Sequence, residues 1–186
     1  MRIAFTGSSS TGKTTLANKL QDDARFCGLS LEFITVDARK LLEERGFKSM
    51  DRMIPEEKIK FQAAYLEKKL VLENCRDSYF TDRSFIDVAS YWLELDKTGL
   101  PASDIDSYIE CCRQEVGRYD LHFYFPYGLI PFESDGYRSE QIALHERIDS
   151  RICQLISEWG CKVVSLDSKD LGVRCDAVID ALQGRL

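Results

Sequence analysis

Residues 7–14 read Gly7-Ser8-Ser9-Ser10-Thr11-Gly12-Lys13-Thr14, and this octapeptide decides the fold. It satisfies G-x-x-x-x-G-K-[ST], a pattern that carries meaning when a strand runs into it and a helix runs out of it. Both conditions hold: residues 2–6 form a short apolar run, and residues 13–27 have helical period. Gly7 and Gly12 admit backbone conformations and close approaches that a Cβ would hinder, so that successive N–H groups can turn inward around a phosphate. The helix beginning near Lys13 directs its positive end at the same anion. In such a cradle Ser8, Ser9, Ser10 and Thr11 supply backbone donors, Lys13 reaches the β- and γ-phosphates, the Thr14 hydroxyl ligates Mg²⁺, and Thr15 caps the α-phosphate. A glycine-serine turn that binds nothing is the alternative, and the agreement of motif with context argues against it.

Working outward, short β-rich runs at residues 2–6, 31–36, 79–81, 121–125 and 162–166 alternate with helical segments at 13–27, 38–45, 56–77, 85–95, 103–117, 140–159 and 169–182. This is the βαβ rhythm of a parallel sheet covered on both faces. It predicts a three-layer α/β/α P-loop NTPase fold with a five-stranded parallel sheet and a helical lid. In the segment 56–77, Ile59, Ala63, Leu66 and Leu70 recur every three or four residues as one buried stripe, and Pro55 suits its first turn. No internal repeat or linker interrupts the pattern, so residues 1–186 are expected to form one domain.

Composition narrows the classes. A chain of 186 residues, 44% hydrophobic, is large enough for one buried core and too small for a multi-domain machine. Its net charge of −6 disfavours a globally basic nucleic-acid binder, while leaving room for a local basic groove. The seven cysteines (27, 75, 111, 112, 153, 161 and 175) show no metal-ligand spacing, which points to the reducing cytoplasm. Cys27, Cys75 and Cys153 read as small apolar residues of helices. No run is long and apolar enough to span a membrane, and the N-terminus does not read as a signal peptide.

Three further stretches carry charge at predicted strand ends or in loops. Tyr79-Phe80-Thr81-Asp82-Arg83-Ser84 runs a hydrophobic strand into an acid-base pair at the sheet edge where the cradle lies. Asp82 is a candidate to hold Mg²⁺, directly or through water, and Arg83 to clamp a phosphate or substrate oxygen; a surface ion pair at the start of a helix is the alternative. Thr35-Val36-Asp37-Ala38-Arg39 repeats the arrangement, with Asp37 either the base for an attacking hydroxyl or merely a helix cap, and Arg39 steadying phosphate. Around residues 127–151, Asp135-Gly136-Tyr137-Arg138 reads as a lid that brings the Arg138 guanidinium onto the transferring group. Arg147 and Arg151 read as a solvated face pairing with Glu146 and Asp149. His122 and His145 receive no role.

Asp82-Arg83-Ser84 resembles the element that follows this strand in the thymidylate-kinase and deoxynucleoside-kinase branch of P-loop kinases. Asp37-Ala38-Arg39 and the Asp135-Gly136-x-Arg138 loop are similar to segments of the nicotinamide-riboside-kinase-like family of AAA-type ATPases, with Asp at position 37 where Glu is commoner. The resemblance implies an ATP- and Mg²⁺-dependent kinase acting on a nucleoside, nucleotide or riboside-like acceptor. It also places Phe61, Gln62 and Tyr65, on the 56–77 helix, at the acceptor pocket, although aromatics at that spacing also serve as core. Two rivals stay open. One is a phage-type kinase acting on 5-hydroxymethyluridine within DNA; the other is a non-catalytic ATP- or GTP-binding regulator. The oligomeric state is open, a homodimer among the options.

Overall fold

The computed structural model describes residues 1–137 and 139–184. Five strands, β1 (Arg2–Thr6), β2 (Glu32–Ile34), β3 (Tyr79–Asp82), β4 (Leu121–Tyr124) and β5 (Val163–Ser165), form one sheet in the order β2-β3-β1-β4-β5. Every pairing is parallel. The central strand is β1, and register places Phe5 opposite Asp82 on one side and Thr6 opposite Tyr124 on the other. The carboxyl ends of three strands therefore meet at one edge.

The intervening helices are α1 (Lys13–Gln21), α2 (Ala24–Cys27), α3 (Ala38–Glu44), α4 (Pro55–Asn74), α5 (Phe85–Leu93), α6 (Ala102–Val116), α7 (Ile142–Glu158) and α8 (Leu171–Gln183), with a single 3-10 turn at Met50–Arg52. Alternation along the strands sorts the core into two layers. Ile3, Phe5, Phe80, Leu121 and Phe123 face α1, α2 and α8. Ala4 and Tyr79 face the other side, with the buried residues of α3, α4, α5, α6 and α7. Phe5 anchors the first layer, its ring 5.2–5.9 Å from those of Phe80, Phe123 and Phe125. The three-layer architecture and the five-stranded parallel sheet agree with the sequence.

Several local expectations need correction. The segment expected to run unbroken over 13–27 splits, because Asp23 accepts a hydrogen bond from Arg25 N (2.9 Å) and starts a new helix. Cys27, Cys75 and Cys153 are exposed rather than packed as small apolar residues, and the buried cysteines are Cys112 and Cys175. The span 127–151 divides in two. Residues 126–137 and 139–141 are loop, whereas α7 is packed into the core through Ile148 and Ile152. Arg147 pairs with Glu94, the C-cap of α5 (2.8 Å), and donates to Ala143 O of its own helix (3.2 Å). Asp149 points the other way, accepting from the Tyr124 hydroxyl at 2.9 Å. No described helix is long and apolar enough to cross a membrane.

Candidate active site

The loop between β1 and α1 turns as its two glycines require. At Gly7 the reason is space: a Cβ there would lie 2.6 Å from the Phe125 carbonyl oxygen. At Gly12 it is conformation, since φ is +86° and a Cβ would also meet Ile130 Cδ1 at 2.8 Å. Gly12 is the N-cap of α1, no side chain caps it, and the first turn holds no acidic residue. The positive end of α1 is thus left to an anion from outside.

Lys13 is buried, and its ammonium is folded into the loop, donating to Gly7 O (2.7 Å), Ser8 O (2.6 Å) and Thr11 Oγ1 (3.1 Å). Beside it Thr14 Oγ1 donates to Asp82 Oδ2 at 2.5 Å. Asp82 Oδ1 is buried with no hydrogen-bond partner among the described residues. A hydroxyl and a carboxylate with one oxygen unengaged are the hard oxygen donors that Mg²⁺ takes, so these residues fit that ion.

Arg83 has φ +72°, an uncommon conformation for a residue with a side chain. Its guanidinium lies 4.9 Å above the Tyr91 ring and donates to Ser9 Oγ (3.2 Å), which is itself within 2.9 Å of the Tyr91 hydroxyl. The strand end and the cradle are joined from below by Asp87, which is fully buried. Its Oδ1 accepts from Gly7 N (3.0 Å), and its Oδ2 accepts from Ser84 N (2.8 Å) and Ser84 Oγ (2.9 Å). Thr6 Oγ1 completes the floor, bonding Ser84 Oγ (2.9 Å) and lying 3.2 Å from His122 Nδ1. Burial pushes the His122 imidazole down to about 4, so it is neutral at pH 7. From the far side Arg174 of α8 donates to Thr11 O (2.8 Å) and Ser168 O (2.5 Å), with its guanidinium 5.5 Å from the Phe125 ring.

These elements enclose a cleft of about 280 Å³. Residues 9–15, Asp82 and Arg83 line one side, while Ile130, Pro131, Lys169 and Arg174 line the other. Of the residues singled out in sequence, Ser9, Ser10, Thr11, Gly12, Lys13, Thr14, Thr15, Asp82 and Arg83 converge there. Gly7 and Ser8 lie beneath it. Asp37 and Arg39 stand outside it. The Asp37 carboxylate caps α3 by accepting from Lys40 N (3.0 Å). Arg39 pairs with Asp135 of the loop at 2.5 Å, and its guanidinium lies 5.5 Å from the Tyr137 ring. The same loop is fastened to the cradle through Ser10 Oγ and Glu133 O (3.1 Å), and to α3 through Tyr137 OH and Glu43 Oε1 (2.7 Å). From α7, His145 reaches the loop, stacking on Phe132 at 4.9 Å and bonding Ser139 O at 2.8 Å. Arg138 lies outside the described residues.

Phe61, Gln62 and Tyr65 are buried on α4, and the two rings pack 6.3 Å apart within the core. Burial raises the Tyr65 phenol above its ordinary range. Asp87 and Arg174 were not singled out in sequence. A signal existed for the first, because Ser84-x-x-Asp87 is a capping-box pattern; none existed for the second.

A glycine-bounded loop closing the central strand, beside an Asp-Arg pair on the neighbouring strand in this sheet order, makes the three-layer α/β/α fold a P-loop NTPase fold. The chain belongs to the AAA domain family, whose model matches residues 2–174. Among solved structures it is similar to NadR protein in complex with NR, with a TM-score of 0.67 and 22% identity over 98% of this chain. The chain spans 50% of the length of that one. It is also similar to deoxyadenosine kinase from M. mycoides with bound dATP, with a TM-score of 0.65 and 15% identity over 98% of this chain and 100% of the other. Thymidylate kinase from Ehrlichia chaffeensis gives a TM-score of 0.62 and 16% identity, each chain being covered to 98%. No curated protein matches it in sequence.

Proposed function

We propose that this chain is an ATP-dependent kinase that transfers the γ-phosphoryl group to a small nucleoside, nucleotide or riboside-like acceptor. The observation that carries the reading is the convergence, in one cleft, of the Lys13 cradle, the Thr14–Asp82 pair and the Arg83 guanidinium. Phosphoryl transfer needs little covalent chemistry from a protein; it needs positioning and charge stabilisation, which these groups are suited to supply. The main-chain amides from Gly7 to Thr15 hold the donor phosphates. On binding, the Lys13 ammonium exchanges loop carbonyls for β- and γ-phosphate oxygens. Thr14 and Asp82 would hold a Mg²⁺ ion, which would supply charge neutralisation for the donor phosphates. Arg83 clamps the acceptor-side oxygen, and Asp37 orients the attacking hydroxyl once the loop has moved toward it. Arg39, released from Asp135, joins the same site, and Arg138 closes it. Phe61, Gln62 and Tyr65 form the wall behind the acceptor.

Support for the acceptor class comes from the fold neighbours, whose bound NR and dATP are nucleoside-like molecules. The seven free cysteines accord with a reducing cytoplasm. The test is a screen of nucleosides, nucleoside monophosphates, nicotinamide riboside and 5-hydroxymethyluridine-containing DNA with γ-labelled ATP and Mg²⁺. Transfer of label to one of the small molecules is the expected result. Transfer to DNA alone, or tight ATP binding with no transfer to any acceptor, refutes the proposal.

A further inference from the structure

One turn apart on α4 stand Lys69 and Glu73, only 1% and 2% exposed. In sequence they look like an ordinary surface i,i+4 pair. In the structure they lie sealed beneath the end of β3. Lys69 Nζ sits 2.5 Å from Glu73 Oε1, 3.3 Å from Thr81 Oγ1 and 2.7 Å from the Arg83 carbonyl oxygen, and 5.1 Å from the centre of the Phe85 ring. Glu73 is held in turn by the hydroxyls of Tyr79 (2.8 Å) and Tyr119 (2.8 Å to the same oxygen, Oε2). The ammonium therefore has three oxygen partners and the carboxylate three donors.

Taking two charges out of water is costly, and a buried ion pair contributes little net stability. What distinguishes this one is its third partner. Arg83 is held at φ +72°, which turns its carbonyl inward to Lys69 and its side chain outward over Tyr91 and Ser9. A side-chain-bearing residue adopts that conformation at a cost in free energy, and a charge-assisted hydrogen bond is strong enough to offset it. We propose that Lys69 is a positioning residue: backed by Glu73, it grips the Arg83 carbonyl and thereby aims the Arg83 guanidinium into the phosphate cleft. The proposal deepens the kinase reading and rests on it where it gives Arg83 its task, but the geometric step is testable without catalysis.

Lys69→Met removes the grip, and Lys69→Met/Glu73→Gln does so without leaving a lone buried carboxylate. Crystal structures of the parent and of both variants, each with Mg²⁺ and a non-hydrolysable ATP analogue, should show Arg83 at negative φ and its guanidinium off Tyr91 in the variants. Arg83 still at its left-handed angle over Tyr91 in the double variant overturns the proposal whatever the activity. In the label-transfer assay, kcat should fall about tenfold or more with the KM for ATP nearly unchanged. Adding Arg83→Ala to Lys69→Met should cost little beyond Arg83→Ala alone, because the two act through one group. Independent, multiplying losses also overturn it. If Arg83→Ala itself leaves transfer intact, the role given to Arg83 in the kinase reading fails, and the crystal structures still decide whether Lys69 sets its conformation.

Discussion

Replacing Asp87 by Asn tests the idea that the cradle is fastened from beneath the sheet. The carboxylate is completely buried, and three donors converge on it: Gly7 N on one oxygen, Ser84 N and Ser84 Oγ on the other. An amide offers one acceptor and one donor. Its oxygen can face Ser84, which turns the NH₂ against Gly7 N–H, or face Gly7, which turns the NH₂ against Ser84 N–H. Either way one buried backbone donor loses its acceptor, at a cost of about 1–3 kcal/mol, and the surviving hydrogen bonds lose the strength that ionic character gave them. The sum is roughly 2–4 kcal/mol, or a fall in Tm of about 5–15 °C at ~2–4 °C per kcal/mol for a chain of this size. Urea unfolding at pH 7.5 measures the first quantity and calorimetry the second. Because Gly7 opens the cradle, calorimetric titration with Mg·ATP should also show weaker binding, by about tenfold for each 1.4 kcal/mol of loop ordering lost. A loss of stability under ~0.5 kcal/mol, the range of ordinary surface substitutions, would mean that Asp87 is not the fastening and that the loop holds its shape alone.

Lys13→Met should lower the rate of phosphoryl transfer by about 10²–10³-fold or more while leaving the folded state close to intact, as judged by circular dichroism and Tm; full activity would contradict the donor site. Gly12→Ala must place a Cβ at φ +86° and 2.8 Å from Ile130 Cδ1, so a destabilisation of about 1–3 kcal/mol is expected in urea melts, together with loss of Mg·ATP binding. Adding Ile130→Ala should relieve the contact but not the backbone strain, giving partial recovery. His122 titrates near 4 in the folded chain against an ordinary 6.5, so the unfolded chain takes up a proton first as pH falls. Its contribution is constant above 6.5 and is lost between 6.5 and 4, amounting to about 2 kcal/mol at pH 5. The difference in stability between wild type and His122→Asn should therefore shift by that amount from pH 7.5 to pH 5 in paired urea titrations, and an unchanged difference would show that His122 is not held neutral.

Much of this fold is legible in the sequence because its signals are local. The cradle announces itself in eight residues, the strands are short apolar runs, and caps such as Asp37 and Ser84 stand at the helix starts they make. Even the break in the first helix was readable, since Asp22-Asp23 supplies a new cap where an uninterrupted helix was expected. The site is less legible, for a reason built into parallel sheets. Neighbouring strands run the same way, so each is followed by a long crossover before the next, and residues that touch at one edge are far apart in the chain. Thr14 meets Asp82 across 68 positions, Gly7 meets Asp87 across 80, and Thr6 meets His122 across 116. Pattern can place Asp82 and Arg83 at a strand end, and so at the correct edge. It cannot tell that Arg39 looks toward Asp135, 96 residues on, or that Arg174 reaches Thr11 across 163.

The Lys69–Glu73 pair shows why the remaining signal is not merely weak but misleading. At i,i+4 on a helix, lysine and glutamate most often mark a solvated face, as Lys60 and Glu56 do one helical stretch earlier on the same α4. What separates the two pairs is the side of the helix they occupy: Lys69 shares its face with Phe61, Gln62, Tyr65 and Leu66, all buried. Phe61, Tyr65 and Lys69 are spaced by four, so the periodicity that placed the aromatics inward placed this charge inward too. A buried lysine demands acceptors, and the nearest are those of β3, the strand that α4 precedes. Reading this face through its two charged members, Lys69 and Glu73, rather than around them, leads from helix period to buried ammonium to the carbonyl of Arg83, and so from the core of the protein to the cleft at its edge.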